Sequence, residues 1–144
     1  MPDEMFADAG LALGEAILGA LDSWAESQAV RLGGATLALD GRRAGEEIAN
    51  VVAPRLAALL AADVDGQRGT PLTILREAHL PLTEMLLSRG VAPGPRDPAD
   101  IAAQPDDVFA LTPRAFADLG PEVHDAGLRW GVTKAFAHRA RHQR

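Results

Sequence analysis

The chain contains no cysteine and no tyrosine, two tryptophans, four phenylalanines, and one lysine, Lys134, among fourteen basic residues. Without cysteine it can form no disulfide, no thiolate nucleophile and no cysteine-ligated zinc site. The scarcity of aromatics, 4% against 47% hydrophobic residues overall, leaves alanine and leucine to build the core. That composition favours closely packed helices over a β-sandwich. No window of about 18 residues is apolar and free of charge, so no membrane span is expected. Asp3, Glu4 and Asp8 occupy the place where a secretory leader would be basic and then apolar, and the chain reads as soluble and cytoplasmic. GxSxG, Walker A and dinucleotide fingerprints are all missing, and no cofactor is expected.

At 144 residues one domain is expected, with enough length for a self-sufficient core. The net charge of −6 is unevenly placed: residues 1–111 sum to −9 and residues 112–144 to +3. This balance disfavours nucleic acid as the main partner and leaves the basic C-terminus as its only plausible contact.

Periodicity predicts a first helix over about Asp3–Leu32. Phe6, Ala9, Gly10, Leu13, Ile17, Ala20, Leu21 and Trp24 share one stripe, opposite Asp8, Glu15, Asp22 and Glu26. Gly10 and Gly14 stand four apart on its flank, a spacing that lets another backbone come close. Gly33-Gly34 ends the helix. Residues 35–41 alternate like a strand, but a lone strand leaves its backbone unpaired, so a loop or helical turn is preferred. A second helix, about Arg43–Ala62, carries Ile48, Val52, Leu56 and Leu59 and is apolar most of the way round, as for a central element. Pro54 in its interior predicts a kink or two stacked helices. Asp63–Gly66 and Gly69 make the turn out, and Thr70-Pro71 opens a third helix. Its stripe is Leu72, Leu75, His79, Leu82 and Leu86, a second kink is expected at Pro81, and Gly90 stops it.

Residues 91–112 form a proline-rich irregular segment containing Pro93, Pro95, Pro98 and Pro105 and bounded by Pro113. Connections this long are uncommon inside a domain unless they bind something or close a site. Asp97-Pro98 and Thr112-Pro113 are each cap-plus-first-turn signals. The second predicts a short helix ending at Gly120, before a last helix from Pro121 to about Ala140. The sharpest binding candidate is Pro105–Leu111, in which Val108, Phe109 and Leu111 must either dock on the bundle or stay exposed for a partner, flanked by Asp106 and Asp107. On the last helix, Val123, Ala126, Trp130 and Ala137 share one face while Leu128, Val132 and Ala135 lie nearly opposite, with Phe136 off to one side. Such a helix is either sandwiched, the default, or offers one face to a partner.

His79 on an apolar stripe reads first as a core histidine satisfied by a carbonyl or carboxylate, and second as a pocket-lining acid or base. His124 and Asp125 stand beside Arg129, which at i,i+4 makes an ordinary ion pair with Asp125. His138 and His142 have metal-ligand spacing but lack further ligands, and cations at the helix C-terminus are the simpler account. Asp97, Asp100, Asp106 and Asp107 read as caps and solvated charges before they read as a metal site.

The run Asp107-Val-Phe-Ala-Leu-Thr-Pro113, with Asp118–His124 and Gly127–Gly131, resembles an uncharacterised family of small alanine- and arginine-rich actinobacterial proteins. The resemblance spans the last third of the chain and implies neither an activity nor site residues.

The expected fold is an all-α, single-domain bundle of about five helices. The leading functional expectation is a non-enzymatic adaptor or regulatory module that binds another protein, which could be a second copy, through residues 91–113 and the last helix. Trp130, His79 and His124 complete the candidate binding residues. The alternative is a small enzyme or ligand-binding protein with a pocket at His79. Third comes nucleic-acid contact through Arg129, Lys134, Arg139, Arg141 and Arg144.

Overall fold

The computed structural model describes residues 2–60 and 71–142. Among them the chain is an all-α bundle without strands: α1 Pro2–Gly33, α2 Ala38–Leu60, α3 Pro71–Leu75, α4 His79–Ser88, α5 Pro98–Ala103 and α6 Pro121–His142, with 3-10 turns at Ala35–Leu37 and Phe116–Asp118. The chain packs as one unit in which α1 and α2 form the middle pair. α6 lies against α1, and α3 and α4 lie against α2, with α4 also reaching α1.

The predicted stripe of α1 is the core. Leu13, Ile17 and Leu21 are at most 1% exposed, and Phe6, Ala9 and Trp24 are buried beside them. Each large apolar side chain buried this fully contributes about 1.5–3 kcal/mol. Ile48, Val52 and Leu56 of α2 and Leu82 and Leu86 of α4 complete it. The outer side of α2 leaves Val51 exposed.

Glycines set how closely the middle pair can approach. A Cβ on Gly41 would stand 2.8 Å from the Ala25 carbonyl oxygen, and one on Gly45 2.5 Å from the Asp22 Cα. Gly41 and Gly45 therefore let the first turns of α2 lie directly on the α1 backbone. At the other end of the pair, a Cβ on Gly10 would meet the Leu60 carbonyl oxygen at 2.9 Å. The expected close approach at Gly10 and Gly14 is thus made by Leu60.

Residues 35–41 form a 3-10 turn and the start of α2, so that helix begins five residues earlier than Arg43. α2 runs through Pro54 as one helix, with the ring on its exposed side. Pro81 differs from expectation. A helix continuous from Pro71 would drive the Pro81 ring into the Glu77 carbonyl, and the chain instead turns at residues 76–78. Helix α4 then restarts at His79, placing Pro81 in a first turn, where an amide has no helical partner to lose. Gly90, at φ 80°, closes α4: Val91 N–H donates to the Leu86 carbonyl and Gly90 N–H to that of Leu87. That pair of bonds is a Schellman motif. Thr70 and the 63–69 turn lie outside the described residues.

Candidate functional site

The irregular segment is folded down by its own side chains. Asp97 accepts a hydrogen bond from Ala99 N–H at 2.8 Å, and Pro98 takes the first position of α5, as the pair predicts. Arg96 donates to the carbonyls of Asp100 and Gln104, tying the chain before α5 to its end. Asp100 pairs with Arg114.

Beyond α5 the centre of the segment is Asp107. Its Oδ1 accepts from Leu111 N–H at 2.8 Å, and its Oδ2 from Thr112 N–H at 2.8 Å and from the Thr112 hydroxyl at 2.6 Å. The loop bends tightly enough to hold Ala110 at φ 55°. Burial alone pushes the Asp107 carboxyl up. The Thr112 hydroxyl, the amides of Leu111 and Thr112, and nearby His79 together outweigh it and hold the carboxyl below its ordinary value. Leaving Asp107, Phe109 and Leu111 enter the core, 5% and 3% exposed, with Val108 half-buried against it. These apolar residues dock on the bundle and fasten the segment, while Pro105, Asp106 and Ala110 are exposed.

This geometry also replaces the helix expected after Thr112-Pro113. The Thr112 side chain is turned back to donate to Asp107, and its oxygen accepts from no following amide. Only a 3-10 turn follows, at Phe116–Asp118, where the Asp118 carboxylate accepts from Arg114 N–H and Ala115 N–H.

His79 is buried, 6% exposed, between two side chains. Its Nδ1 stands 3.3 Å from the Thr83 hydroxyl and 4.0 Å from the nearer Asp107 oxygen. A core histidine beside a carboxylate is what this shows, and His79 lines neither of two cavities found among the described residues. The larger cavity is an apolar groove of about 740 Å³ between α1 and α2, walled by Gly10, Leu11, Gly14 and Leu18 on one side and Leu56 and Leu60 on the other. The Arg141–Asp3 ion pair stands at one end. The smaller, about 230 Å³, is polar and lies over Asp107, among Arg76, Arg96, Arg114, Asp100 and Thr112.

Helix α6 buries the Trp130 face. Val123, Gly127, Trp130, Thr133 and Ala137 point inward, Trp130 stands 6.1 Å from Phe6 ring to ring, and Lys134 Nζ lies 5.0 Å from the Trp130 ring. Gly127 is required here, because the Phe116 ring lies where its Cβ would be. The sandwiched arrangement does not occur among the described residues. Leu128, Val132 and Phe136 face outward at 58%, 69% and 44% exposure. The reason is positional: α6 packs on α1 and on the 3-10 turn before it, and both lie on its inner side.

His124 is exposed on α6. The Asp125–Arg129 ion pair predicted from spacing is not formed, and among the described residues neither side chain has an ionic partner. The His138 and His142 rings lie 4.5 Å apart between centres and are tilted by 46° to one another. Among the described residues no group of three metal-ligating side chains comes together, and no helix is long and apolar enough to cross a membrane.

Sequence reasoning missed two features. The Gly41/Gly45 approach carries the same four-residue signal as Gly10/Gly14. The Asp107 turn had a weaker one, a carboxylate followed within five residues by a threonine that can return a hydroxyl to it. Comparison with family models, with curated proteins and with solved structures finds no match.

Proposed function

We propose that the protein is a non-enzymatic interaction module, an adaptor or regulator, whose contact surface is the outer face of α6. The supporting observation is the row Leu128, Val132 and Phe136, three large apolar side chains at four-residue spacing on a helix whose other face is already buried. Single exposed apolar residues are ordinary, whereas a contiguous row marks a contact surface. The 91–113 segment has a supporting role in this reading: with Phe109 and Leu111 in the core, it offers α5 and its exposed Ile101 rather than an apolar loop.

A photo-crosslinking residue in place of Val132, activated in the host, tests the proposal, with the same probe at exposed Asp8 on α1 as control. A discrete protein adduct is expected from position 132 alone, lost when Leu128 and Phe136 are changed to serine. No adduct beyond the control would defeat the reading.

A second reading rests on the α1–α2 groove, whose volume and apolar walls suit a small hydrophobic ligand. It predicts saturable binding of an apolar fluorescent probe that Leu11→Glu abolishes. Non-saturable binding, or binding unaffected by the substitution, would discard it.

A further inference from the structure

We infer that the partner of the α6 face is a second copy of the same chain, paired antiparallel about Val132. The inference rests on the proposed interaction surface and adds its occupant. Its basis is a symmetry in the exposed residues of α6. Reading outward from Val132, the fourth residue in each direction is apolar, Leu128 on one side and Phe136 on the other. The seventh is charged, with opposite sign: Asp125 toward the N-terminus and Arg139 toward the C-terminus. All five are exposed. At about 100° per residue, Leu128 and Phe136 fall about 40° to either side of the Val132 direction and Asp125 and Arg139 about 20°, so the five form one straight strip.

A two-fold axis across the helix at Val132 brings each position 132 − n level with 132 + n of the other copy. Leu128 then meets the second copy's Phe136, Val132 meets its counterpart, and Asp125 meets the second copy's Arg139, at both ends of the strip. This is the self-complementarity a two-fold interface requires. A parallel pairing would instead set Asp125 against Asp125 and Arg139 against Arg139, with like charges repelling at both ends. Within one chain Asp125 and Arg139 have no ionic partner among the described residues. Three apolar side chains from each copy and two ion pairs make a small contact, below about 1,200 Å² in total, the size of weak, transient pairs.

The test is sedimentation over a concentration series, with helicity measured for every variant. Wild-type mass should rise from the 15.1 kDa of one chain toward twice that value. Asp125→Arg and Arg139→Asp, each alone, should stay at the mass of one chain, since each sets like charges together at both ends. Mixed one to one they should pair, because every charged contact is again between opposite signs, and the double variant should pair with itself. Wild-type protein of single-chain mass throughout, single variants that pair as well as wild type, or a mixture no better than its components would each overturn the inference. A Val132 crosslink to a different protein with no self-association would defeat the pairing and leave the interaction surface standing; no crosslink at all would remove both.

Discussion

Replacing Asp107 by asparagine should cost the protein about 3 kcal/mol at neutral pH. The carboxylate accepts three short hydrogen bonds, from two backbone amides and the Thr112 hydroxyl. Bonds to an ionised acceptor contribute about 1.5 kcal/mol each at the low end, about 4–5 together. Burying the charge takes back part of that sum, leaving the smaller net figure. Asparagine keeps the shape but puts an NH₂ group where one oxygen was, facing an N–H or O–H, so a donor meets a donor. In a domain of this size the loss lowers the melting temperature by roughly 10 °C. Thermal and urea unfolding followed by circular dichroism would measure it, and amide exchange at Leu111 and Thr112 would show whether the turn opens before the bundle.

The difference between the two proteins also depends on pH. Because the folded-state pKa of Asp107 is depressed, its stabilisation is complete above the unfolded carboxylate value of about 3.9 and is lost as pH falls through the lower folded value. The gap between wild type and Asp107→Asn should therefore be constant near neutrality and narrow below about pH 4. A variant within about 0.5 kcal/mol of wild type at pH 7, or a gap that does not close in acid, would refute the account of Asp107 as the charged anchor of the segment.

Gly45→Ala should destabilise by about 1–3 kcal/mol, since its Cβ would stand 2.5 Å from the Asp22 Cα and force α1 and α2 apart. Gly131→Ala is the counterpart: with nothing within 4 Å of the added atom, it should stabilise by up to about 1 kcal/mol through helix propensity. Equal effects from the two in urea unfolding would contradict the close approach. Ala110→Gly should stabilise by about 0.5–1 kcal/mol, because Ala110 is exposed and held at φ 55°, where a Cβ is strained and glycine is not. A loss of stability there would mean that the turn is not adopted in solution.

Much of the bundle is readable because its causes are local. The stripe from Phe6 to Trp24 is a matter of spacing along one helix, and Asp97-Pro98 and Gly90 act on their nearest neighbours. Pro81 shows where local reading fails. A proline is the same residue at the third position of a helix and in its middle, and only the turn at 76–78 decides which. Thr112-Pro113 fails differently, because a carboxylate five residues back holds both the Thr112 amide and its hydroxyl and turns the side chain away from the amides it would cap.

The candidate surface was half legible. From sequence alone the two apolar faces of α6 are both present, one through Trp130 and one through Val132, and the symmetry of charges about Val132 is already written there. Which face is covered depends on where α1 and the Phe116 ring lie, and those positions follow from packing across the whole chain. The same holds for Phe109 and Leu111, whose apolar character is fixed by identity but whose place in the core is decided by the Asp107 turn. Local propensity and periodicity are set by residues within a turn or two of one another. Burial depends on what meets across long separations, and for α6 and the 107–111 segment only the tertiary structure supplies it.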